Sequence, residues 1–230
     1  MALQQTGIIY VRSNGFDFYG NKMVNGARFD FPLTAVKDLD VINKGELEET
    51  ISTFIEKNQI LPANCIIVAS ESVCFEKDFV DIALDQQENR TREFLENIPF
   101  EEVNTKTFPI ERGNKIVAVN KNFYETIKTG FENKGFVVEG VTPSLVLGTA
   151  LGNTEHGLSP EAITILFEKY NMLKENSFRM DEKKLVIVPK NTEASSKKVI
   201  HKKIIFLSGF FILLLGILAF MIINTKILGY

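Results

Sequence analysis

Residues 117–151 read VAVNKNFYETIKTGFENKGFVVEGVTPSLVLGTAL, a run in which the hydrophobic period changes twice. Apolar residues at 115–119 form a short block suited to a strand. Tyr124, Ile127 and Phe131 then recur at helical spacing, which predicts a helix over 121–134 with one apolar stripe. Gly135 supplies the residue type that ends a helix, and 136–141 returns to β-branched and aromatic residues suited to a strand. Strand, helix and strand with short connections make a β/α unit.

Upstream, 105–110 and 115–119 flank Glu111-Arg112-Gly113-Asn114 and read as a hairpin. Residues 85–97 are charged, favour helix and stop before Pro99, because the residue preceding a proline avoids the α region. Residues 65–69 are continuously apolar and short, as a strand buried on both faces would be, and 72–75 either continue that strand or pair beside it. Over 45–58, Leu47, Ile51, Phe54 and Ile55 form an amphipathic helix face with acids outside. Residues 7–31 read as an antiparallel meander interrupted at Ser13-Asn14-Gly15, Gly20-Asn21 and Asn25-Gly26, each a tight turn requiring positive φ. Downstream, 161–174 is a helix with Ile163, Leu166, Phe167, Tyr170 and Leu173 on its buried side, and 185–188 is a candidate last strand. Residues 1–188 thus form one α/β (α+β) domain, large enough to bury a core without disulfides.

Residues 204–223, IIFLSGFFILLLGILAFMII, carry no charge. Twenty residues of helix span roughly 30 Å, the thickness of the bilayer hydrocarbon. Ile204, Phe210, Leu214, Gly216, Phe220 and Ile223 mark this expected membrane anchor. Lys197, Lys198, Lys202 and Lys203 precede it and only Lys226 follows, which orients the N-terminal domain to the cytoplasm. Residues 189–203 read as a flexible basic linker with a reach of roughly 20 Å, and 224–230 as a short extracytoplasmic tail. Gly209, Gly216 and Ala219 fall near one side of the span, but a plain lipid-exposed anchor is the preferred reading. No signal peptide is evident at the N-terminus.

Residues 1–196 hold 21 of the 26 Lys and Arg and all 29 Asp and Glu, a net charge of −8. That balance excludes a phosphate-backbone binder, so nucleic acid is not an expected partner. The lysines beside the span suit an anionic lipid bilayer instead. Cys65 and Cys74 match no common zinc or redox spacing and read as buried reduced thiols. Catalytic groups are sparse: His201 lies in the linker and His156 in a polar loop, and no phosphate-loop, dinucleotide or metalloprotease motif occurs. Glu48-Glu49 and Glu101-Glu102 read as solvated faces. Ser13-Asn14-Gly15 is the one turn that could offer backbone N–H groups to a phosphate, though a hairpin turn explains it better. The residues therefore assign no catalytic group, no cofactor and no metal.

Three stretches together resemble the type IV pilus assembly protein PilM, an actin-like family related to the cell-division protein FtsA: 66–75 (IIVASESVCF), 96–103 (ENIPFEEV) and 117–151. The resemblance implies a partial actin-like (ribonuclease H-like) mixed sheet with flanking helices, one of them opening at Pro143-Ser144-Leu145, followed here by one C-terminal transmembrane helix. Two departures accompany it. Residues 11–15, VRSNG, lack the Asp-x-Gly of the first phosphate loop, and the second actin-like half does not fit between residue 152 and the span. A membrane-tethered actin-like domain is also similar to GspL of type II secretion, whose periplasmic domain has no counterpart here. The resemblance thus implies a non-catalytic, single-pass scaffold in the cell inner membrane, binding pilus or secretion platform proteins, with a homo-oligomer as a further option. The alternatives are a membrane-tethered nucleotide-dependent actin-like ATPase and an unrelated anchoring or signalling module. PilM-like proteins receive a short peptide in a groove, but the resemblance assigns no groove residues in this chain.

Overall fold

The computed structural model describes residues 5–178 apart from 22, 24–25, 82–83 and 152–156. The chain divides into two compact units, Met1–Glu182 and Lys183–Tyr230. The expected strand at 185–188, the linker, the anchor and the tail lie outside the described residues. Within those described, no helix is long and apolar enough to cross a membrane.

The chain opens with a meander: β1 (Thr6–Arg12), β2 (Gly15–Gly20) and β3 (Ala27–Asp30) pair antiparallel. A two-residue ladder follows, β4 (Val36–Lys37) with β5 (Asp40–Val41), and leads into α1 (Lys44–Lys57). Strand β6 (Asn64–Ala69) returns parallel to β1. Next, β7 (Cys74–Val80), α2 (Leu84–Glu96), β8 (Val103–Ile110) and β9 (Gly113–Asn120) build a second sheet, ordered β7-β9-β8. Helix α3 (Lys121–Glu132) brings the chain back to β10 (Val137–Pro143), parallel to β6, and α4 (Pro160–Glu168) and α5 (Tyr170–Glu175) complete the unit. The main sheet is mixed and five-stranded, ordered β10-β6-β1-β2-β3.

Side-chain alternation sorts this sheet into two faces. Ile9, Val11, Phe16, Phe18, Cys65 and Ile67 belong to one core, which α1 and α3 cover with Leu47, Ile51, Phe54, Ile55, Tyr124, Ile127 and Phe131. Ile8, Tyr10, Tyr19, Ile66 and Val68 belong to the other, beneath Leu147, Ala162, Leu166 and Leu173. Strand β6 feeds both cores, so its unbroken apolar run has a physical cause. Helices α1 and α3 cross closely at Gly130, where an added Cβ would come within 3.0 Å of Ile51 Cδ1.

Four expectations need correction. Residues 72–75 neither extend β6 nor pair beside it: Glu71–Val73 form a 3-10 turn, and Cys74 starts β7 in the other sheet. The first hairpin turn has no positive φ. Gly15 serves close approach instead, since a Cβ there would lie 2.0 Å from Phe29 O. Residues 161–174 are not one helix, because Lys169, at φ −96° and ψ 13°, separates α4 from α5. Of the five residues assigned to its buried side, Leu166 and Leu173 are fully covered, and Ala162 joins them. Finally, the helix expected to open at Pro143-Ser144-Leu145 is a 3-10 segment, Ser144–Leu151, broken at Gly148. Cys65 and Cys74 do lie apart: Cys74 Sγ sits 3.8 Å from Ala69 O at the far end of β6 from Cys65. Burial, reinforced by nearby glutamates, raises both thiols to about 12, which keeps them protonated.

Asn120 connects three of these elements. Its Oδ1 accepts from Phe123 N–H to cap α3, and its Nδ2 donates to Leu39 O at 2.8 Å. Leu39 and Asp38, the turn between β4 and β5, have φ of 65° and 50°. Positive φ is unfavourable for a γ-branched residue, so the turn depends on what holds it. Asn120→Ala should cost about 2 kcal/mol, roughly half from the lost cap and half from the unpaired carbonyl. Equilibrium urea unfolding of the variant measures this.

Glu139 fastens α5 to the sheet. Its carboxylate accepts from Lys174 Nζ at 2.7 Å, Tyr170 Oη at 2.9 Å and Asn64 Nδ2 at 3.3 Å. Burial opposes ionisation, but the bonds from Lys174, Tyr170 and Asn64 outweigh it and leave the pKa below the ordinary 4.5. A folded value below the unfolded one stabilises above the unfolded pKa, and that contribution disappears as pH falls through the folded value. Wild type should therefore melt above Glu139→Gln at neutral pH, with the gap closing below pH 4.5. Melting curves across that range check the sign.

Candidate functional site

Strand β2 reads Gly-Phe-Asp-Phe-Tyr-Gly, so alternation that buries Phe16 and Phe18 on one face sends Asp17 and Tyr19 to the other. Asp17 is 3% exposed. Its cross-strand partner on β3 is Arg28, whose Nε donates to Oδ1 at 2.9 Å. Arg12, at the end of β1, places Nε 3.3 Å from Oδ2. Two guanidiniums thus embrace one buried carboxylate. The carboxylate is paired twice, which lets it be buried at tolerable cost. Of the two cations, Arg28 is half exposed to water, while Arg12 Nε is buried without a hydrogen bond of its own.

Beside this cluster a groove of about 710 Å³ runs between β2–β3 and α4. Tyr19, Met23 and Arg28 line the sheet side, and Leu158, Ile163 and Phe167 line the other. Ile163 and Phe167, assigned to a buried helix face from spacing, are thus half-buried groove residues. A second hollow of about 200 Å³ shares Gly20, Asn21 and Met23 and extends to Ile60 and Leu61. Burial, then Asp17, raises the Tyr19 phenol to about 12, and it hydrogen-bonds the Leu158 backbone. Two glycines keep the walls close. A Cβ on Gly26 would sit 2.4 Å from Tyr19 Cε1, and one on Gly157, whose φ is 112°, would sit 2.9 Å from Arg28 Nη2.

Chemically, this arrangement favours binding over bond-making. The carboxylate is enclosed by its arginines, the phenol stays protonated at neutral pH, and much of the remaining wall is apolar. A groove of this size and mixed lining can hold an amphipathic segment.

The candidate phosphate turn lies at the carboxyl end of β1 and is occupied by structural bonds. Ser13 N–H donates to Ser72 Oγ at 3.1 Å, Ser70 and Ser72 hydroxyls lie 2.8 Å apart, and Phe31 N–H donates to Asn14 O. Arg12 Nη1 donates to Asn14 Oδ1 at 2.9 Å, linking the turn to the Asp17 cluster. Glu101 and Glu102 are exposed, with Glu102 paired to Lys121, and Glu48 pairs with Lys44. Among the described residues no three His, Cys, Asp or Glu side chains gather for a metal. His156, His201, the anchor residues Ile204, Phe210, Leu214, Gly216, Phe220 and Ile223, and Lys197, Lys198, Lys202 and Lys203 lie outside the described residues.

Sequence reasoning passed over Asp17 and Arg28. The available signal was a charge placed inside an aromatic strand, opposite an arginine on the next strand of the same meander.

Neither a family model nor a curated protein matches the chain. Among solved structures, distant similarity extends to the PilM-PilN type IV pilus biogenesis complex, at 13% identity and a TM-score of 0.40, covering 61% of this chain and 48% of that one. The cytoplasmic domain of EpsL, an inner membrane component of the type II secretion system of Vibrio cholerae, gives 13% identity and 0.39, covering 66% and 60%. A Bacteroides thetaiotaomicron protein of unknown function with an actin-like ATPase fold gives 13% and 0.36, covering 66% and 59%. The chain therefore spans roughly half to three-fifths of the length of these structures.

Proposed function

We propose that this chain is a non-catalytic, single-pass scaffold of a type IV pilus or type II secretion-like inner-membrane platform, with its partial actin-like domain on the cytoplasmic side and a partner segment in the groove beside α4. The observation that carries this reading is the Asp17 cluster. Its carboxylate is enclosed by two arginines and leaves no free anionic group, next to a wall of mixed lining in which Leu158, Ile163 and Phe167 can bury a partner's apolar side chains. The uncharged run at 204–223 and the lysines before it support the membrane placement. The three stretches resembling PilM support the choice of assembly.

Purification of the full chain in mild detergent from cells expressing such a platform tests the reading. Inner-membrane platform proteins should co-purify, and recovery of none of them would overturn it. Calorimetry of the same preparation with ATP and magnesium separates it from the ATPase alternative: the scaffold gives no binding heat, whereas saturable heat would favour nucleotide-dependent chemistry.

A further inference from the structure

We propose that residues 176–178 form a strap that locks α5, and through it the α4 wall of the groove, to the opposite side of the main sheet. As regulation of the groove, this rests on the scaffold reading. The chain changes faces within a few residues. Leu173 is fully buried in the core beneath α4 and α5, whereas Phe178 is 2% exposed in the core covered by α1 and α3. Between them the chain passes around β10, the edge strand of the sheet. Phe178 N–H donates to Val141 O at 2.7 Å, and Thr142 Oγ1 donates to Asn176 O at 3.3 Å. From the second sheet, Lys106 Nζ donates to Ser177 O at 3.2 Å. Gly140 makes room for the crossing, since a Cβ there would lie 2.6 Å from Ser177 Cβ.

A segment with one end in each core can be withdrawn only by taking Phe178 out of the far one. Withdrawal removes the bonds from β8 and β10 and leaves α5 held by Leu173 and the Glu139 network. In sequence the strap lies between α5 and the proposed linker and membrane span. Its release would loosen α4 and open the groove, while α1 and α3 keep their own core.

Hydrogen exchange of the full chain in mild detergent tests this. Phe178→Ala should speed exchange across 160–175 about tenfold or more while α1 and α3 stay protected, the signature of local opening. Gly140→Ala, which crowds Ser177 without touching Phe178, should do the same, and it decides the matter should Phe178→Ala fail to fold. Phe178→Leu should stay near wild type. Unchanged protection of α4 and α5 in Gly140→Ala overturns the strap, as does equal loss over α1 and α3, because Phe178 would then be an ordinary core residue. If exchange behaves as expected but the wild-type chain recovers no platform protein, the strap stands and the scaffold reading fails.

Discussion

Asp17→Asn should destabilise the folded domain by about 3–5 kcal/mol, the range for removing one partner from a buried ionic cluster. The substitution keeps the side chain's size and deletes only its charge. Arg12, whose side chain is 11% exposed, is then left as an uncompensated buried cation, while Arg28, half exposed, can turn to water. The penalty belongs mainly to Arg12, so Asp17→Asn combined with Arg12→Met should recover much of the loss. Urea unfolding followed by far-UV circular dichroism measures both, since the chain has no tryptophan. A loss under about 1 kcal/mol for the single variant would mean that water reaches Arg12, and the cluster would count as a surface ion pair.

The order of elements was legible because each β/α unit carries its period and its punctuation. Leu47, Ile51, Phe54 and Ile55 repeat at helical spacing and are all buried in α1, and Gly135 has the positive φ that its place after α3 requires. Failures fell where tertiary contacts override local signals. Strand β7 reads CFEKDFV, with Glu76, Lys77 and Asp78 in its middle, because it gains its pairing from β9, 33 to 45 residues away in the register. The helix at 161–174 has an unbroken apolar period, and nothing in that period announces the bend at Lys169. The site was less legible still. A site of catalytic type betrays itself by motif, whereas this groove is assembled from the neighbouring strands β2 and β3 and from α4, which follows them by more than a hundred residues. Only the Phe16-Asp17-Phe18 alternation carried local information about it.

Phe131→Ala should cost about 3–5 kcal/mol through the cavity it leaves, and the consequences should extend across the sheet. Phe131 is fully buried, and its ring centroid lies 5.4 Å from Phe16, 5.9 Å from Phe18 and 5.3 Å from Phe136. Helix α3 is held at its start by the Asn120 cap and, one residue before Phe131, by the close approach of Gly130 to Ile51, which limits its freedom to collapse into the space. A loss under about 1.5 kcal/mol would mean that the helix repacks. Phe16 and Phe18 flank Asp17 in the chain and hold β2 from the face opposite the groove. Strand β2 therefore transmits a change on one face to the other, and Phe131→Ala should alter the cost of Asp17→Asn. Positions coupled through a shared backbone shift typically interact by about 0.5–3 kcal/mol, whereas independent sites add within about 0.5 kcal/mol. The double variant measured beside the two singles distinguishes these outcomes. Strict additivity would mean that the aromatic core and the groove are energetically separate, and that the geometry of the Asp17 cluster is set by its arginines alone.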